Sequence, residues 1–237
     1  MLGDDIDGSR EAHVRLLAAL EGLAPGDAGR PSRLPGWTVG HVLTHLSRNA
    51  DSHVRMLVAA GNGEVADQYE GGRPGRATDI EAGAGRPEPQ LVADVAASCR
   101  RLEVAWAATT EAVWERGIGR MVGGECPVAE LPFRRWREVE LHHADLGLGY
   151  GWQDWPVAYV TRDLGILVSG LPRRLPAGRS LRLEATDTGA RWTVPEGGGA
   201  TDAAEQVEVA APSGQLLAWL MGRDDGSGFP PLTGWEP

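Results

Sequence analysis

Residues 133–147 read F-R-R-W-R-E-V-E-L-H-H-A-D-L-G, directly after Pro132. The punctuation is that of a helix, with proline just inside the start and Gly147 just past the end. Four residues separate Glu138 from His142, so a helix stacks them on one face, a turn apart. Asp145 falls near the same face. A carboxylate and an imidazole held this way are half of a metal site. The other dense histidine cluster, His41-Val-Leu-Thr-His45, also has helical spacing.

Working outward, Thr38 in Leu34-Pro35-Gly36-Trp37-Thr38 can cap a helix that runs to Gly61. His41, His45 and Asn49 lie along one side of it at intervals of four. Before it, a helix is expected from Ser9 to about Leu23, ended by Pro25-Gly26. Residues 61–88, rich in Gly, Pro and charge, read as a long loop with at most a short helical piece at Thr78 to Ala84. A third helix is expected from near Pro89 to near Glu115, and a turn or hairpin over Gly117 to Glu130. Four helices before residue 150 form a bundle, an architecture that builds metal sites from inward side chains on facing helices.

After residue 152 the pattern changes. A fifth helix spans Pro156 to Ser169. Strand-like alternation follows in Ser180 to Ala185, Ala190 to Val194 and Val207 to Val209, and then an apolar helix from Ser213 to Met221, closed by Gly222-Arg223-Asp224-Asp225-Gly226. The tail, Phe229 to Pro237, reads as a segment lying on the surface. The fold class is α+β: a metal-binding helix-bundle domain over residues 1–152 and a smaller α+β domain over 153–237.

Composition excludes several roles. The chain of 237 residues is 42% hydrophobic and 24% charged, with a formal net charge of −10. That is a globular composition with room for a core, and it lacks the basic stripe that nucleic acid demands. No apolar run is long enough for a membrane span, and the acidic start M-L-G-D-D-I-D has no signal-peptide form, so a cytoplasmic protein is expected. Cys99 and Cys126 lack metal-ligand spacing and read as reduced thiols. All 23 basic residues are arginine, a hint of a GC-rich genome. Nothing points to an oligomer, so a monomer is the starting assumption.

Catalytic zinc often takes two histidines and one carboxylate and leaves a position open. Glu138, His142 and one of His41 or His45 supply that set, and spacing alone does not choose between the last two. The competing reading pairs Glu138 with Arg134 and leaves His142 structural. His143 points about 100° away from His142 on a helix. Glu140 sits off the face and reads as solvated, and Asp145 as a partner for a ligand histidine's other nitrogen. Trp37 and Trp136 read as core aromatics.

The pairing of L-P-G-W-T-V-G-H-V-L-T-H-L-S-R-N-A with R-E-V-E-L-H-H-A-D-L-G resembles the mycothiol-dependent maleylpyruvate isomerase family, of the DinB-like metal-dependent superfamily. The resemblance extends to A-W-L-M-G-R-D-D-G near the C-terminus. It implies a DinB-like four-helix bundle, Zn2+ held by His45, Glu138 and His142, and an arginine important for activity at Arg223. It implies mycothiol as the thiol cofactor and an anionic unsaturated small molecule as substrate, in aromatic-compound catabolism. A zinc-bound thiol is deprotonated. Its addition to a cis double bond, rotation and elimination turn maleylpyruvate into fumarylpyruvate. Arg223 is then expected to hold a substrate carboxylate; without the resemblance it reads as a helix-terminal arginine. Arg48 and Asn49, beside His45, are further candidates. The alternatives are mycothiol S-transfer to another electrophile and a non-catalytic metal- or ligand-binding module. A structural zinc is disfavoured, since three ligands leave the ion open.

Overall fold

The structure, a computed structural model, describes residues 1–175, 179–194, 205–224 and 228–232. The chain divides into two compact units, Met1–Gly149 and Tyr150–Pro237.

In the first unit the elements run α1 (Leu2–Leu20), α2 (Val39–Gly61), α3 (Gly72–Ala84), α4 (Glu88–Ala108), α5 (Glu111–Arg116), the strands β1 (Ile118–Met121) and β2 (Gly124–Pro127), and α6 (Leu131–Asp145). The four long helices form the bundle: α2 packs on α4 and α6, and α1 on α6 and α4. Each turns an apolar stripe inward, including Leu16 and Leu20 from α1, Leu43, Leu46 and Met56 from α2, Leu91, Val95 and Leu102 from α4, and Val139 from α6. Burial of such stripes is the main stabilising term. Strands β1 and β2 pair antiparallel, with Ile118 opposite Pro127 and Met121 opposite Gly124.

Three segments differ from their sequence reading. Helix α1 begins at Leu2, seven residues earlier than expected, with Asp4 and Asp5 in a first turn whose dipole favours acids. Helix α4 stops at Ala108, and Thr109, in extended conformation, separates it from the short α5. Within the 61–88 segment, expected as a loop with at most a helical piece at Thr78 to Ala84, the helix α3 already begins at Gly72. The glycines of α3 serve close packing: a Cβ at Gly75 would collide with the Glu70 carbonyl, and one at Gly83 would meet the Thr44 side chain of α2. Pro74 lies in the first turn, where a missing N–H costs nothing. Docking on α2, with Ile80 and Ala84 buried, overrides weak local propensity.

The second unit holds α7 (Val157–Gly170), β3 (Arg179–Ala185), β4 (Arg191–Val194), β5 (Glu205–Ala211) and α8 (Ser213–Leu220). Its sheet has the order β4-β3-β5, with β3 antiparallel to β4 and parallel to β5. Leu181 and Leu183 face Val194 and Trp192 on one side and Val207 and Val209 on the other. Helix α8 packs on α7. Residues 225–227 and 233–237, part of the expected C-terminal turn and tail, lie outside the described residues. Among the described residues no helix is long and apolar enough to cross a membrane.

Gly40 of α2 lies against the Ala84 carbonyl so closely that a Cβ would overlap it, whereas Gly61, also in α2, has open space. Gly40→Ala is expected to lower stability by about 1–3 kcal/mol through overpacking. Gly61→Ala should be neutral or raise it by about 0.5–1 kcal/mol. Urea unfolding of the two variants checks the contrast.

Candidate metal centre

Helix α2 starts with a cap that consumes its first histidine. Thr38 Oγ1 accepts the His41 backbone N–H at 3.4 Å, and the Thr38 N–H donates back to His41 Nδ1 at 3.2 Å. His41 Nε2 faces Glu81 at 3.2 Å. One turn further on, His45 is buried and points at α6. Its Nε2 lies 2.8 Å from Glu138 Oε2, and His142 Nε2 lies 3.5 Å from that same oxygen. The ligand atoms of His45, Glu138 and His142 all fall within 4.8 Å of one another. The two imidazoles meet edge to face at 4.5 Å between centroids. Asp145 Oδ2 accepts from His142 Nδ1 at 2.9 Å, fixing that ring with Nε2 toward the cluster.

The charges of the three groups are tied together. Burial alone would raise the Glu138 pKa, but contacts from His142 and His45 outweigh it and hold the carboxyl well below its ordinary range. Burial, then the neighbouring His142, pushes His45 down to about 4. Burial also opposes charge on His142, yet Asp145 and Glu138 prevail and raise its pKa. Two imidazoles thus turn toward one carboxylate oxygen. Two nitrogens and an oxygen converging in this way fit a divalent ion such as zinc. The residues present match the group they would have to hold.

Other expected residues lie elsewhere. Glu140, expected in solvent, is buried, accepting Arg15 Nη2 at 2.6 Å and Trp136 Nε1 at 2.9 Å. Arg134 pairs with Glu130, not with Glu138. His143 is buried outside the cluster. Arg48 is held by Asp94 through two contacts of 3.0 Å and by Asp51, clamping α2 to α4. Asn49 accepts Arg135 Nη1 at 2.8 Å. Trp136 is a core aromatic against Gly8. Trp37 is not: half-buried, its ring lies 5.7 Å from His45. Cys99 and Cys126 are free and buried. Arg223, in the second unit, donates from Nη1 to the Met221 carbonyl at 2.8 Å.

Two residues at the site carried no signal in the sequence. Arg76, on α3, places Nη2 3.2 Å from His45 Nδ1, with its guanidinium carbon 5.7 Å from the Trp37 ring and 5.8 Å from the Tyr69 ring. Burial first, then Glu138, raises the Tyr69 pKa and keeps its hydroxyl protonated. Both residues fall in the stretch read as a loop, where no periodicity pointed at the cluster.

Fold and site define a helix-bundle protein with a two-histidine, one-carboxylate cluster suited to a divalent ion. The chain belongs to the family of the mycothiol maleylpyruvate isomerase N-terminal domain, whose model matches residues 9–147. That membership marks it as an isomerase-like enzyme. A crystal structure of the mycothiol-dependent maleylpyruvate isomerase superposes with a TM-score of 0.84 at 23% identity, covering 100% of this chain and 95% of that one. A histidine-to-alanine mutant of that enzyme gives 0.84 at 22% identity with the same coverage. At these identities the likeness establishes the fold. No curated protein matches the chain.

Eight residues beyond His45 on α2, His53 is fully buried, and neither ring nitrogen has a hydrogen-bond partner among the described residues. Burial, then Arg135, pushes its pKa from 6.5 down to about 3. The unfolded chain therefore takes up a proton here that the folded chain refuses. The resulting stability is intact above pH 6.5 and is lost as pH falls from 6.5 toward 3, with a slope of up to about 1.4 kcal/mol per pH unit. His53→Leu, which removes an unsatisfied polar group, should stay within about 1 kcal/mol of the parent at pH 7 or exceed it. It should also lose less stability between pH 7 and pH 5. Urea titrations at the two pH values measure this, and identical losses contradict it.

Proposed function

We propose that the chain is a zinc- and mycothiol-dependent cis-trans isomerase converting maleylpyruvate to fumarylpyruvate by reversible thiolate addition to the double bond. The observation that carries this reading is the convergence of His45, Glu138 and His142 within 4.8 Å in a chain of this family. These residues would hold the ion with a position left open. When bound, it supplies a Lewis acid that keeps a small thiol deprotonated at neutral pH.

The chain's own groups have separate tasks. Glu138 brings the negative charge and spans α2 and α6 through its contacts with both histidines. Asp145 orients His142 through Nδ1 and raises its basicity. Trp37 packs against His45, its ring 5.7 Å away at 64°. We assign to Arg223 the role of binding a substrate carboxylate from the C-terminal α+β domain, as the resemblance implies. Neither cysteine is needed, since the nucleophile is the added thiol.

A second reading shares the site: mycothiol S-transfer to another electrophile, without the elimination that regenerates the thiol. One experiment separates the two. Loss of the cis acid is followed with and without mycothiol, in protein of known zinc content. The isomerase reading predicts about one zinc per chain, thiol-dependent conversion to the trans acid, and no net thiol consumption. Thiol consumption without a trans product favours the transferase. No turnover by zinc-loaded protein in either assay favours a non-catalytic module. His45→Ala should lose both zinc and turnover. Asp145→Asn should retain the fold and weaken zinc affinity about 10–100-fold. Metal analysis and a chelator competition measure both effects.

A further inference from the structure

Several arginines around the cluster are matched with carboxylates. Arg48 of α2 and Arg86, between α3 and α4, both reach Asp94, at 3.0 and 2.9 Å, and Arg55 of α2 faces Glu70 at 3.5 Å. Arg76, on α3, differs. It is half-buried, and among the described residues no carboxylate lies within ion-pair distance of it. Arg73, one turn earlier on the same helix, is exposed. A cation drawn out of water without a counter-ion is costly to hold, and that cost falls when an anion settles beside it.

Two rings hold the guanidinium in place. Its carbon lies 5.7 Å from the Trp37 ring and 5.8 Å from the Tyr69 ring, within reach of cation–π attraction. An aromatic ring carries no net charge, so the cation is fixed in space without being neutralised. Nη2 stands 3.2 Å from His45 Nδ1, which puts the group beside the cluster. The helix that carries it is seated on α2, through Gly40 against the Ala84 carbonyl and Gly83 against Thr44. A guanidinium so held presents N–H donors in one plane, the geometry that matches a carboxylate.

We propose that Arg76 binds a carboxylate of the small-molecule ligand and is a specificity-determining residue that the helix bundle itself contributes. The inference rests on the part of the functional reading that makes the ligand an anion. It gives the bundle a carboxylate subsite of its own, apart from the role assigned to Arg223 in the second unit. Selection follows from charge: a neutral isostere of the same outline leaves Arg76 a cation without a partner and is disfavoured. Trp37 and Tyr69 act through Arg76, as positioning residues.

The test uses maleate as the probe and its neutral diamide as the control. Binding to the zinc-loaded full chain is read by calorimetry without added thiol, so that it does not depend on turnover. The wild type should bind maleate more tightly than the diamide. Arg76→Gln should weaken maleate binding about 10–100-fold, the worth of a charge-assisted hydrogen bond, and leave the diamide within about twofold. Arg76→Lys should recover part of the loss, since it keeps the charge without the fork. Arg73→Gln removes the same charge from a solvated position and should change maleate binding less than about twofold. Zinc content and thermal midpoint of Arg76→Gln should match those of the wild type. Unchanged maleate affinity in Arg76→Gln, an equal loss in Arg73→Gln, or a wild type without preference for maleate overturns the inference. Loss of fold or of zinc in Arg76→Gln makes the residue structural and overturns it too. Arg76-dependent maleate binding without thiol-dependent conversion of maleylpyruvate upholds the inference and overturns the isomerase reading instead.

Discussion

One buried cation sets the geometry on which the site depends. Arg135, on α6, has no exposed surface, yet it reaches all four long helices of the bundle. Its Nε donates to His13 of α1, Nη1 to the Leu46 carbonyl and Asn49 Oδ1 of α2, and Nη2 to Cys99 Sγ of α4. His13 in turn donates from Nδ1 to Glu103 at 2.7 Å, linking the cation to a carboxylate through the ring. A buried charge is tolerated only when its donors are satisfied, and here that requirement fixes the register of α6 against α2. Glu138 lies three residues after Arg135, and His45 immediately precedes Leu46. The same contact that satisfies the arginine brings the carboxylate and the imidazole to 2.8 Å.

The centre is accordingly a product of the core. Trp37 stands at the edge of His45, Asp145 orients His142, and the carboxylate is shared between the two rings. Around it, α3 adds what the bundle alone does not provide: a guanidinium at the open edge, delivered by a helix whose glycines permit close docking on α2. The cluster and this guanidinium thus come from different layers of the same unit. The first is anchored by buried ion pairing and the second by packing of small residues.

Much of this was legible in the sequence where local periodicity carries the information. The Glu138 and His142 spacing, the Thr38 cap and the hairpin at 118–127 are encoded within a few residues of themselves. The choice between His41 and His45 was not readable from spacing, because both lie on one face. The cap decides it, by using the His41 ring for the Thr38 N–H. Glu140 was misread because its partner Arg15 stands 125 positions away, and burial of a charge depends on such distant donors. Only the end of helix α3, Thr78 to Ala84, was readable, since the glycines before it resemble loop punctuation while one of them, Gly75, serves close packing. The unread part holds Arg76, with Tyr69 in the turn just before the helix, the residues that complete the rim.

The account stands on a three-ligand ion with room for sulfur. X-ray absorption at the zinc edge tests it most directly. The expected spectrum of the loaded protein shows two imidazole nitrogens and carboxylate oxygen, and adding mycothiol brings in one sulfur at about 2.3 Å. A shell already closed by four protein ligands, or one that never admits sulfur at saturating thiol, contradicts it.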